Sequence, residues 1–172
     1  MSGPDEAGAQ PSLEHLVQVP LRTVAPPVVD IEGTDLWGRA TRVELAAPGR
    51  WTLLFFLGSR CDGCGPLWGA ADEPTSLGLT ATDAVRIVTR DAQVEDAVAV
   101  RALVAGLGAA AHTVMSSAAW RAYGVQGPPF FTVVDGVAVR SEGVAWSVEQ
   151  VAVDVARARR GGVASRARVG EE

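Results

Sequence analysis

The chain has 172 residues, room for one domain with terminal segments to spare on a guide of about 150 residues per domain. Apolar residues make up 48% and charged residues 20%, ordinary globular usage that excludes a disordered, collagen-like or disulfide-dense chain. Net charge is −5 and all 15 positive side chains are Arg, so there is no basic platform for phosphate backbones and nucleic acid is not expected as a partner.

Residues 1–20 are rich in Pro, Gly, Ala and acid without sustained periodicity and are expected to form a flexible leader, with residues 21–160 as the folded domain. The start, Met1-Ser2-Gly3-Pro4-Asp5-Glu6, lacks the basic end and apolar segment of a secretory signal, which points to the cytoplasm. Val28-Val29-Asp30-Ile31 and Arg42-Val43-Glu44-Leu45 are short strand candidates. Trp51 to Leu57 is a continuous apolar run between Pro48-Gly49 and Gly58, the pattern of a strand buried on both faces. It is far short of the ~20 residues of a membrane span, and no span is expected. Ala84 to Thr89 reads as the next strand. Ala97, Val100, Leu103, Val104 and Leu107 recur at helical spacing, with Gly108 where a left-handed cap is expected.

A second unit begins with His112-Thr113-Val114-Met115 as a short strand, followed by Ser117 as the expected N-cap of a two-turn helix ending at Gly124. Phe130–Val134 and Val137–Arg140 flank Asp135-Gly136, the signature of a two-residue turn between antiparallel strands. Ser147 and Gln150 form a capping box for a last helix with Val148, Val151, Ala152 and Val155 on its apolar face. Arg157, Arg159 and Arg160 are expected to close it as a solvated end beside the negative helix terminus, and residues 161–172 to form a disordered tail. The order implies an α/β fold, a central mixed β-sheet flanked by helices on both faces.

The two cysteines, Cys61 and Cys64, are the chemical centre. Cys61-Asp62-Gly63-Cys64 follows the buried strand directly, so the first sulfur emerges at the carboxyl edge of a central strand, where open α/β sheets bind ligands. A helix starting there favours thiolate over thiol at Cys61, and a spacing of three lets Cys64 attack a mixed disulfide formed on Cys61. Arg60 adds charge that supports the thiolate; Asp62 opposes it. Gly65-Pro66 complicates the helix start, since Pro is welcome in the first turn but not inside.

Other uses of the pair are a zinc site, for which the sequence adds only His15 and His112 to the two sulfurs, and an inert dithiol in a binding or scaffold module. A thiol peroxidase of peroxiredoxin type would need an activating hydroxyl and Arg, for which Ser59 and Arg60 are near. No metal or cofactor is expected. Trp37, Trp51, Trp68, Trp120 and Trp146 are scattered without interleaved basic residues and are expected to pack rather than to stack on bases.

Three segments together, Trp51–Cys64, Trp120–Phe131 and the Asp135-Gly136 hairpin, resemble the thioredoxin superfamily, and within it the TlpA-like and MauD-like bacterial thiol-disulfide reductases, over about residues 24 to 158. The resemblance implies a thioredoxin-like fold and a thiol-disulfide oxidoreductase that exchanges disulfides with a protein or small thiol substrate and is served by an unidentified electron donor. It implies Cys61 as nucleophile, Cys64 as resolving thiol, and a cis proline at Pro129 shaping the substrate edge, with Pro128 before it. The chain departs from the family in three places. Pro128 has no N–H to offer a substrate strand, Arg60 replaces the aromatic residue common before the first cysteine, and Phe55 stands where thioredoxins bury an acid, so Cys64 needs another proton acceptor.

Overall fold

A computed structural model describes residues 24–169, with side chains through 161. The expected leader at 1–20, His15 and residues 170–172 lie outside the described residues. The strands are β1 (Ile31–Thr34), β2 (Ala40–Val43), β3 (Thr52–Phe56), β4 (Ala84–Thr89), β5 (Thr113–Met115), β6 (Phe130–Val134) and β7 (Val139–Val144). They form one mixed seven-stranded sheet in the order β2-β1-β5-β4-β3-β6-β7. β3 runs parallel to β4 and antiparallel to β6, so the apolar run at 51–57 is a central strand, as its lack of alternation predicts.

The run divides by parity. Leu53, Phe55 and Leu57 face a core shared with α1 (Gly65–Ala70), α2 (Ala97–Val104) and α4 (Val148–Val169), whereas Leu54 and Phe56 face a second core with α3 (Ser117–Ala122). Alternate strand side chains point to opposite faces, so both sides of β3 are apolar because each is roofed by helices. On the α3 side, Phe56 lies edge-on to Trp120 with ring centroids 5.6 Å apart, an arrangement the ring quadrupoles favour.

Local hydrogen bonds explain where the elements depart from the sequence pattern. β1 begins only at Ile31 because Val29 spends its N–H and carbonyl on the Tyr123 hydroxyl. β2 ends at Val43 because the Leu45 N–H goes to the Asp30 carboxylate at 2.8 Å. The N-cap of α3 is Ser116, which accepts from the Ala119 N–H, while the Ser117 hydroxyl accepts from the Asp91 N–H and ties down the loop after β4. Gly106, not Gly108, takes the left-handed conformation after α2, with φ +81. Gly108 instead needs to be small, because its N–H meets the Asp72 carboxylate at 2.6 Å and a Cβ there would lie 3.0 Å from an Asp72 oxygen.

The hairpin is longer than two residues because the Asp135 carboxylate accepts from the Val137 and Ala138 N–H groups, delaying β7 to Val139. At the last helix Gln150 donates its N–H to the Ser147 hydroxyl, but its side-chain oxygen accepts from Trp146 rather than Ser147. α4 then continues through Gly161-Gly162 to Val169, where a disordered tail is expected. Ala and Arg are strong helix formers and offset the roughly 1 kcal/mol that each Gly costs. Arg159 is therefore not a solvated helix end. It pairs with Asp83 and lies 5.2 Å above the Trp51 ring.

Asp135 is fully buried. Burial alone would raise its pKa, but the Ala138 and Val137 N–H groups and the Arg140 guanidinium, 2.7 Å away, together bring it below the ordinary carboxylate value. The Leu45 N–H, Arg42 and the Ala46 N–H lower Asp30 to about 2. A depressed folded pKa contributes stability that is complete above the unfolded value of about 3.9 and is lost as pH falls through the folded value. Stability should therefore decline between about pH 4 and pH 2 as these carboxylates take up protons. Urea titrations across that range check it. Asp135→Ala should cost about 2–3 kcal/mol at neutral pH and flatten the acid limb.

Candidate functional site

β3 ends at Phe56, and the next few residues carry the chain over the sheet edge to Cys61. The Phe56–Phe130 pairing brings the residue before β6, Pro129, to that same edge. The Pro128–Pro129 peptide bond is cis. A Cβ built on Gly63 would lie 3.5 Å from Cγ of Pro129, and one on Gly58 3.7 Å from Cγ of Pro128, so the two prolines pack directly against the loop that bears the sulfurs.

Cys61 and Cys64 are joined in a disulfide with Cα atoms 5.4 Å apart. Cys61 is in extended conformation and caps a 3-10 turn, Asp62–Cys64, whose first closing bond runs from the Cys64 N–H to the Cys61 carbonyl at 3.1 Å. α1 follows from Gly65 with Pro66 in its first turn, where a missing N–H costs nothing. Gly65-Pro66 thus converts a 3-10 start into an α-helix and does not break it.

The two sulfurs have unlike surroundings. Cys64 is fully buried in the core that holds Phe55, Leu67 and Trp68. Cys61 is half-buried and opens onto a cleft of about 380 Å³ shared with Arg60, Arg90, Glu95, Trp120 and Pro128. Asp62 is exposed at the first position of the turn and does not line the cleft. Phe55, at the position of the thioredoxin acid, is fully buried.

Glu95 is the residue that sequence reasoning misses. It lies in the loop between β4 and α2, held by Asp91, whose carbonyl accepts from the Val94 and Glu95 N–H groups. Its carboxylate accepts from the Ser59 N–H at 3.1 Å, from the Ser59 hydroxyl, and from the Asp96 N–H at 3.0 Å. Ser59, considered above as a peroxide-activating hydroxyl, is committed to this contact. No local motif marks Glu95; its distance of 36 positions from Ser59 makes it visible only once β4 is set beside β3.

Trp120 forms part of the cleft wall, with the Arg90 guanidinium 4.5 Å from its ring centre. Trp68 and Trp120 are buried, as expected of packing residues, whereas Trp37 and Trp146 are 63% and 78% exposed and do not pack. Each of these two lies beside a turn or cap that turns it outward: Trp37 follows the Asp35 turn, and Trp146 precedes the α4 cap. His112 is remote from the dithiol and lines a different cavity. Among the described residues no group of three or more His, Cys, Asp or Glu could hold a metal ion, and no helix is long and apolar enough to cross a membrane.

No protein-family model matches the sequence, and no curated protein matches it. Solved structures do. A secreted disulfide oxidoreductase of Mycobacterium tuberculosis, described as homologous to E. coli DsbE, superposes with a TM-score of 0.58 at 15% identity, covering 74% of this chain and 95% of that one. A thiol:disulfide interchange protein of the thioredoxin family from Chlorobium tepidum gives 0.57 at 13% identity, over 76% and 96% of the two chains. A thioredoxin-like protein from Aeropyrum pernix gives 0.55 at 13%, over 74% and 89%. The fold is thioredoxin-like. In this thioredoxin-like chain the disulfide loop, the cis proline and the cleft occupy one edge of the sheet, so the expected positions Cys61, Cys64, Pro128, Pro129 and Arg60 come together in space.

Proposed function

We propose that this chain is a thiol-disulfide oxidoreductase in which Cys61 attacks and Cys64 resolves. The observation that carries the reading is the asymmetry of the pair: Cys61 opens onto the cleft and Cys64 is sealed in the core. A substrate disulfide can reach only the first sulfur. In the reducing direction the Cys61 thiolate attacks one substrate sulfur, the other leaves as a thiolate, and Cys64 then attacks Sγ of Cys61. That step releases the second substrate thiol and forms the Cys61–Cys64 disulfide. Two electrons pass to the substrate, and an external dithiol donor must restore the pair.

Arg60 beside Cys61 favours the anion, and the Asp62 charge at the start of the turn opposes it. Cys64 must lose its proton in an apolar setting, beside Phe55 and Trp68, while Glu95 acts as a positioning residue that anchors Ser59 and with it the loop before Cys61. Pro128 and Pro129 shape the substrate edge. Neither donates a hydrogen bond, so a bound peptide is gripped through its side chains and its fit in the cleft more than through strand pairing. The substrate is a disulfide-bearing protein or a small disulfide. With both cysteines of the chain in the motif, we place the protein in the reducing cytoplasm.

The test is a titration of the purified protein against glutathione buffers, with alkylation and mass measurement of the free thiols. A single transition in which both thiols appear together, within the range of cellular dithiols, is expected. Thiols that appear one at a time, or no transition anywhere in the series, would overturn the reading.

A further inference from the structure

A second cavity, of about 370 Å³, lies away from the dithiol and is lined by β2, the starts of β3, β4 and β5, and Arg50. Its charge is unusual. Arg86 sits in the middle of β4, in register with Leu54 of β3 and two residues before Val88, on a buried sheet face that carries Leu54, Phe56, Val88 and Val134 together with the uncharged Thr52 and Thr132. Its side chain is half-buried and donates to the Val85 carbonyl at 2.8 Å, with Nδ1 of His112 at 3.4 Å. Burial, then the nearby positive charge of Arg50, pushes the Arg86 guanidinium down from its ordinary value. Among the described residues no carboxylate lies within ion-pair distance of Arg86 or Arg50. Arg42, also in the wall, is already paired with Asp30 at 2.7 Å, and Glu44 is the one acid among the described residues that line the cavity.

A guanidinium half-buried on an uncharged sheet face beside a like charge is costly unless an opposite charge compensates it. The Val85 carbonyl and Nδ1 of His112 are neutral acceptors, and among the described residues no carboxylate forms an ion pair with Arg86. We infer that this cavity is a binding site for an oxyanion of the phosphate type, taken up by Arg86, Arg50 and His112. Two guanidinium groups present planar donor forks suited to phosphate oxygens. With Nδ1 of His112 accepting from Arg86, the ring hydrogen sits on Nε2, free to donate to the same ligand. The volume exceeds that of a bare phosphate and leaves room for a small organic group, so the ligand class is inorganic phosphate or a small phosphomonoester. This site is independent of the dithiol and of the redox reading.

Thermal unfolding in sodium phosphate against sodium chloride, at equal pH and ionic strength, together with calorimetric titration of inorganic phosphate, tests it. Phosphate should raise the melting temperature of the wild-type protein by mass action. Arg50→Ala, a change at an exposed position outside the core, should weaken phosphate binding about tenfold, the effect of one lost charge-assisted contact. Arg86→Leu should abolish the phosphate response and melt higher than wild type in chloride. If Arg86→Leu does not fold, Arg50→Ala alone decides. Equal phosphate responses in wild type and Arg50→Ala would mark a general salting effect and overturn the site, as would no response in wild type. Glycerol 2-phosphate binding more tightly than inorganic phosphate assigns the site to an ester; the reverse order assigns it to the free ion.

Discussion

Cys61→Ser is expected to abolish disulfide exchange, whereas Cys64→Ser is expected to stall it halfway, with the substrate held on Cys61 as a mixed disulfide. The two substitutions differ because the sulfurs differ in access. Without Cys61 the remaining thiol is fully buried and cannot meet a substrate disulfide. Without Cys64 the first attack still occurs at the cleft, but no neighbouring thiolate is present to release the product, and only a slow external thiol can do so. Mass measurement of Cys64→Ser after incubation with a disulfide substrate should find an adduct on Cys61 that a reductant removes. The opposite result, adducts on Cys64 in Cys61→Ser and none on Cys61, would reverse the roles. The double substitution separates the redox reading from a scaffold role, since partner binding that survives loss of both sulfurs needs no dithiol.

Gly136→Ala should be strongly destabilising, at more than about 3 kcal/mol. Gly136 has φ +85, and a Cβ there would stand 1.9 Å from the Ala47 carbonyl oxygen and 2.9 Å from the Pro48 nitrogen. The atoms in the way are backbone, so relief requires the loop before β3 to move. That loop is fixed to the hairpin by the Gly49 N–H, which donates to the Asp135 carbonyl at 3.2 Å. The shift would reach both strands that frame the site, β3 before Cys61 and β6 after Pro129. Gly69→Ala is the control. No atom lies within 4 Å of the added Cβ and the position is helical, so a gain of about 0.5–1 kcal/mol is expected. Urea unfolding of the two variants measures both effects, and a loss below about 1 kcal/mol for Gly136→Ala would mean that the loop yields easily.

The parts of the fold most legible from sequence are those governed by burial and local turn chemistry. β4 and β6 begin and end where their β-branched and aromatic runs do, because both strands are covered on two sides and nothing polar competes for their ladder. Edges are less legible. Asp30, Tyr123 and Asp135 divert the N–H groups of Leu45, Val29 and Val137 from strand pairing, and these contacts join residues that only the folded chain brings near. The site divides in the same way. Cys61, Cys64 and Pro129 announce themselves by type and spacing. Glu95 does not, since a lone acid in a loop has no signature until Ser59 meets it. Arg86 reads as an ordinary strand residue until its face of the sheet is known.

Trp120 sits in the wall of the dithiol cleft, edge-on to Phe56 and under the Arg90 guanidinium. The emission of an indole follows the charge around it, and the Arg90 guanidinium over Trp120 is itself in the wall of the opening, where an occupant would meet it. The protein therefore carries its own optical gauge. Under the proposed function, arrival of a substrate, or passage of the neighbouring sulfurs from bonded to separate, should alter the share of the emission that Trp120 contributes beside the other four tryptophans, without any added label.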